Sequence, residues 1–184
     1  MAKRKEKDVS RALNAVRRMV RGLRSAAEAV ERDFRISAAQ LFVLTELGSL
    51  PDQSVKDLAV VTMTTHSTVS QVVGQLISKG LVVRSTDATD ARRAVLRLTP
   101  DGQSLLKRAP RAVQEDLIDG FASLRPTLQR SVATGLEKWL AASGMGGVQS
   151  GMLFEKPLLS EQSARRRKAT EPTKPSSRNR RRRK

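Results

Sequence analysis

The sequence predicts a mainly α chain carrying one small β-hairpin, an α+β arrangement in which the strands are a minor part. Three observations predict it. Apolar residues recur at steps of three and four over most of the 184 residues, the period of a helix with one buried face. Strand-like stretches are confined to Leu81–Thr86 and Arg93–Leu98. Ser37, Ser54 and Thr99 each precede a helical pattern and Gly80 follows one, which are start and stop signals.

The first helix is marked by Val9, Leu13, Val16, Val20, Leu23, Ala27, Val30 and Phe34. Their steps alternate between four and three, a heptad seam that suits a long helix packed on other helices. Arg17, Arg18, Arg21 and Arg24 fall on the other side, as a solvated face or as a face near phosphates. Ser37 caps a second helix over about Ala38–Leu47, with Leu41, Leu44 and Leu47 as its stripe and Phe42 and Val43 beside it. Pro51 and Asp52 break it. Ser54 caps a short helix to about Val61, with Val55, Leu58 and Ala59 inward and Lys56 and Asp57 outward.

The next helix, about Thr65 to Lys79, is the most informative. Val69, Val72, Val73, Leu76 and Ile77 form a buried face. Ser67, Ser70, Gln71, Gly74, Gln75 and Ser78 form the opposite one, polar and without charge. A solvent-facing helix usually carries Lys and Glu. Hydroxyls and amides instead suit the donor and acceptor pattern of base edges.

The two strands flank a charged, turn-rich loop, Asp87-Ala88-Thr89-Asp90-Ala91-Arg92. In the second strand Ala94, Leu96 and Leu98 alternate with Val95 and Arg97. Two short helices followed by such a hairpin describe a winged helix-turn-helix. Thr99-Pro100-Asp101 then starts a helix expected to run to about Phe121 with a kink at Pro110. Leu105, Leu106, Ala109, Ala112, Val113, Asp116 and Leu117 lie near one of its faces. A last helix follows Ser123 to about Ala142, with Leu128, Val132, Leu136, Trp139 and Leu140 apolar. Ser143–Gly151 reads as a linker and Met152–Leu159 as an apolar island suited to dock on the body. From about Ser160 there is no apolar period, and the sequence predicts disorder.

Charge is unevenly distributed. The net +17 comes from 35 Lys and Arg against 18 Asp and Glu. Residues 1–24 hold a net +7, residues 161–184 a net +9, and the 136 between them only +1. Such ends favour polyanions. There are no cysteines, which excludes thiol chemistry, disulfides and zinc ribbons. His66 is the sole histidine, and no GxSxG, GxGxxG or GxxxxGK[ST] occurs. The expectation is therefore no enzyme, no cofactor and no metal. Leu58–Ser78 lacks charge for 21 residues, but its Thr, Ser, Gln and His do not suit a membrane span. A reducing bacterial cytoplasm, near the nucleoid, is the expected setting.

Residues 37–102 resemble the winged helix-turn-helix of MarR-family transcriptional regulators. The residues that carry the resemblance are Ala59, Val69 and Val72 within the two helices, the exit Lys79-Gly80-Leu81-Val82, the pair Asp90-x-Arg92, and Leu98-Thr99-x-x-Gly102 after the wing. The resemblance implies a homodimer on a pseudo-palindromic DNA operator, read here as a repressor. Its reading helix would lie in the major groove, with Thr65, His66, Ser67, Thr68, Ser70, Gln71 and Gln75 near bases. Wing residues Asp90, Arg92 and Arg93 would reach the minor groove, Arg92 held by Asp90. Ser54, Lys79, Arg84 and Arg97 would meet phosphates. Many members carry Asp-Arg-Arg in the wing, where this chain has Asp90-Ala91-Arg92. Small lipophilic effectors occur in the family, but the sequence names none for this chain.

The expected organisation is an N-terminal dimerisation helix over 1–36, the winged helix-turn-helix over 37–102, and C-terminal dimerisation helices over 103–142. A linker with a short apolar segment (143–160) and a basic tail (161–184) follow. Arg180, Arg181, Arg182 and Arg183 end that tail, as an auxiliary contact to flanking DNA. The alternative is an architectural, nucleoid-type DNA binder of low sequence specificity that works through the basic ends.

Overall fold

The computed structural model describes residues 2–86, 93–148 and 151–153. The tip of the hairpin, with Asp90 and Arg92, and the basic tail, with Arg180 to Arg183, lie outside the described residues. The order is α1 (Ala2–Phe34), α2 (Ala38–Ser49), α3 (Val55–Val61), α4 (His66–Ser78), β1 (Val82–Thr86), β2 (Ala94–Leu98), α5 (Pro100–Arg108), α6 (Val113–Ala122) and α7 (Pro126–Ala142).

The helix starts follow from the caps. The Ser37 hydroxyl accepts from the Gln40 N–H, while the Gln40 amide oxygen accepts from the Ser37 N–H. Ser54 and Asp57 repeat this reciprocal arrangement at α3, so two otherwise orphaned N–H groups are satisfied at each start. Thr65 caps α4 by accepting from Thr68 N–H. Gly80 ends that exit at φ +70°, a conformation a side chain would strain.

α2 is the centre of the molecule. Leu41, Val43 and Leu44 are fully buried and Phe42 is nearly so. A helix apolar on every side has to be covered on every side, and α1, α3, α4, α5, α6 and β2 all pack on it. The buried face of α4 joins the same core through Val69, Val72, Val73 and Leu76.

β1 and β2 pair antiparallel, from Val82 opposite Leu98 to Thr86 opposite Ala94. The expected alternation in β2 is not kept, because Val95 and Leu96 are both buried. The outer edge of β2 explains part of this. Leu96 N–H donates to the Gln53 carbonyl at 2.9 Å, so the loop before α3 covers the edge as a one-residue rung. The hairpin then returns to the body through Thr99, which caps α5 by accepting from Gly102 N–H and donates to the Gly80 carbonyl.

The kinked helix expected up to Phe121 is two helices. α5 stops at Arg108, and Ala109 is extended at ψ 149°. Pro110 disfavours helical backbone at the residue before it and supplies no N–H. The chain restarts as α6, where the Glu115 carboxylate accepts from Ala112 N–H. Arg111 bridges Asp116 and Asp119. α7 starts at Pro126, slightly later than expected.

Among the described residues, apolar faces on α1 and α7 remain uncovered. On α1, Val9, Leu13, Val16 and Val20 are 37–52% exposed, whereas Leu23 and Val30 further along the same seam are buried. On α7, Leu128, Leu136, Trp139 and Leu140 are 38–47% exposed. Among the described residues, no helix is long and apolar enough to cross a membrane.

Gly102 offers a sharp test of how the wing joins the body. A Cβ there would stand 2.1 Å from the Leu81 carbonyl oxygen, so Gly102→Ala should cost about 3 kcal/mol in urea unfolding. Gly120→Ala, which meets open space in α6, should be neutral or stabilising by up to about 1 kcal/mol. Equal effects of the two would contradict this packing.

Candidate nucleic-acid interface

The face of α4 opposite the core is presented as the sequence predicts. His66, Ser67, Gly74 and Ser78 are exposed, and Thr68, Ser70, Gln71 and Gln75 are half-buried. The Thr65 and Thr68 hydroxyls lie 3.1 Å apart at the start of the helix. No charge stands on this face before Lys79.

Several of the predicted contact residues also carry structural duties. The Gln75 amide oxygen accepts from Gln40 Nε2 at 2.7 Å. Gln40 also closes the cap of α2, so one buried amide joins the start of α2 to the last turns of α4. Ser54 donates its hydroxyl to Asp57 Oδ2 at 2.8 Å and serves as the cap of α3. Lys79 donates to the Arg35 carbonyl across the α1–α2 turn. Arg84 is exposed on β1.

Two hairpin arginines, Arg93 and Arg97, are tied to acids on the other side of the site. Arg93 Nη2 lies 2.7 Å from Asp57 Oδ2, and Arg97 pairs with Asp52. All four side chains are between two-fifths and half exposed. Each pair is therefore worth little on its own in water. Their effect is positional: they hold β2 against the start of α3 and limit the arginines' freedom before any ligand arrives. Asp57 is the joint, because it completes the α3 cap and meets Arg93. The Ser54 N–H and hydroxyl, and then Arg93, hold its carboxyl below the usual carboxylate range.

Gln40, Asp52 and Asp57 are thus part of the site, although their roles were not evident from the sequence. The Ser54-Val55-Lys56-Asp57 spacing is a capping-box signal that could have found Asp57. Nothing local identifies the pairing of Asp52 with a residue on β2. Among the described residues no group of three His, Cys, Asp or Glu could hold a metal ion.

The depressed Asp57 value sets a pH dependence. A carboxyl lowered on folding contributes stability that is fully present above its unfolded value, about 3.9, and is lost as pH falls through the lower folded value. Urea midpoints of the intact chain should therefore fall as pH drops below about 4. Asp57→Asn should flatten that acid limb and cost about 0.5–1 kcal/mol at pH 7. An unchanged limb would contradict the joint.

Residues 36–93 match the model of the MarR family. Over 98 residues the chain is 37% identical to a Thauera aromatica protein named as a transcriptional regulatory protein for the hcr operon. That match spans 53% of this chain and 58% of the relative, little more than half its length. Among solved structures, a MepR-like protein complexed with pseudoligands aligns with 74% of this chain and 96% of its own, at 18% identity and a TM-score of 0.50. The S. aureus MepR–DNA complex aligns over 70% and 94%, at 24% identity and a TM-score of 0.49. At 18% identity the first is a likeness of fold alone. The likeness to the MarR family model is thus confined to residues 36–93, the helix-turn-helix and wing.

Proposed function

We propose that the chain is a sequence-specific regulator of transcription that binds double-stranded DNA, acting as a repressor through a homodimer on a pseudo-palindromic operator. The observation that carries this reading is the uncharged polar face of α4, raised on a fully packed core and flanked by a wing with restrained arginines. The match of residues 36–93 to the MarR family model supports it.

In this reading α4 enters the major groove. Ser67, Thr68, Ser70 and Gln71 read base edges, with Thr65 and His66 at the entry. Gln75 sets the tilt of the helix through Gln40 as much as it touches DNA. Arg92, fixed by Asp90, reaches into the minor groove, where a narrow groove attracts an arginine. Arg93, Arg97, Lys79 and Arg84 supply phosphate contacts, and Ser54 supports them as the cap of α3. The uncovered faces of α1 and α7 are the dimerisation surface. This places the dimer helices at 1–36 and 103–142, around the reading unit at 37–102. The basic tail adds affinity more than specificity, because phosphate contacts carry no sequence information directly. The DNA-binding setting is the bacterial cytoplasm, at the nucleoid.

The concentration of charge at the two ends favours the second reading, an architectural binder of low specificity. Selection from random duplexes separates the two. The regulator yields an inverted-repeat consensus, the architectural binder yields none, and absence of all duplex binding at moderate salt removes both. Arg92→Ala should weaken binding to the selected site by about 1–3 kcal/mol; normal binding would contradict the wing assignment. Sedimentation should find two copies, and Leu136→Asp should shift them toward one.

A further inference from the structure

The chain returns to the body after α7. Met152 is only 7% exposed and belongs to the main core. It lines a cavity of about 180 Å³ with Phe42 of α2, Met63 and Thr64 of the α3–α4 turn, and Ile118 of α6. A polar contact accompanies this apolar one. Gln114 on α6, itself 5% exposed, donates through Nε2 to the Leu153 carbonyl at 3.1 Å. A buried amide is costly unless it is hydrogen-bonded, so this contact gives Leu153 a defined seat. Leu153 lines the same cavity as Thr64, the residue just before the cap of α4. The chain therefore passes beside the start of the reading helix, and the last 24 residues of the sequence, 161–184, carry eleven Lys and Arg against two acids.

We infer that Met152 and Gln114 form an anchor that roots the basic C-terminal sequence beside the start of α4 and so delivers its charge to duplex DNA flanking the bound half-site. This rests on the DNA-binding reading above. Without the anchor, the same charges would be tethered at the end of α7. The effective concentration of a tethered group depends on where its tether begins and how far it must reach. A root next to the reading helix raises encounter rate and affinity while leaving base discrimination to α4. This gives a role to the apolar island around Met152, which the winged helix-turn-helix alone does not need.

Two measurements test the anchor. The chain contains no cysteine, so Met152→Cys reports its own seat through its rate with a thiol reagent. It should react at least tenfold more slowly than Val148→Cys, whose position is 74% exposed. The second measurement is duplex affinity of Met152→Asp and Met152→Leu, each in the full chain and in a chain ended after Leu153. Met152→Asp should weaken binding about tenfold in the full chain and have no further effect in the shortened one, while Met152→Leu should stay near the unaltered chain. Equal thiol rates with intact duplex binding would overturn the anchor alone. So would an equal loss for Met152→Asp in both lengths, which would place its effect in the fold, or no loss in the full chain. Failure of the unaltered chain to bind duplex would overturn the functional reading and the delivery role with it, whatever the thiol rates.

Discussion

Burial of α2 on all sides is the constraint on which the rest of the structure depends. Leu41, Phe42, Val43, Leu44 and Leu47 leave almost no surface to water. At about 1.5–3 kcal/mol for each fully buried side chain of this size, these five contribute on the order of 10 kcal/mol, comparable with the whole net stability of a domain. α4 is positioned because it is one wall of that enclosure, and β2 and α6 are others. Some polar groups at its margin are answered and others are not: the buried Oε1 atoms of Gln53 and Gln114 have no hydrogen-bond partner among the described residues. Gln40 meets Ser37 and Gln75. Glu46, toward the end of α2, has a carboxyl pushed up by burial and by the nearby Glu115 on α6.

This enclosure separates the work of shape from the work of charge. The face of α4 away from the core carries hydroxyls and amides and no charge before Lys79; in the proposed function it leaves electrostatic attraction to other parts of the chain. The hairpin arginines 93 and 97 are held by Asp57 and Asp52, which reduces their net charge at the site but fixes where they stand. The large positive surplus sits at the two ends of the sequence. A division of this kind lets affinity be set by the ends while discrimination is set by the core-mounted helix.

Much of this was legible in the sequence because the signals are local. The caps Ser37, Ser54 and Thr99, the stop at Gly80, and the buried stripe of α4 each depend on nearby residues in the chain. The end of α5 was less legible. Pro110 marks a disturbance, but whether a proline kinks or ends a helix depends on what the following residues can pack against; here Ala112 is buried in the common core and a new helix starts after it. The non-local pairs were not legible at all. Asp57 meets Arg93 36 residues later, and Asp52 meets Arg97 45 residues later. The bond between Gln75 and Gln40 joins two helices 35 residues apart in sequence and has no local signal. The adjacent buried pair Val95 and Leu96 broke strand alternation because the Gln53 loop covers an edge that a lone hairpin would expose.

In the proposed function the uncharged face of α4 carries discrimination and the basic ends do not. The ratio of affinities for a selected site and a random duplex, measured at one salt concentration, tests it most directly. Removing residues 161–184 should lower both affinities and leave the ratio nearly unchanged, whereas replacing Ser67 and Gln71 by Ala should collapse the ratio with little loss of affinity for random duplex. A ratio that falls with the tail and survives the α4 substitutions would contradict the account.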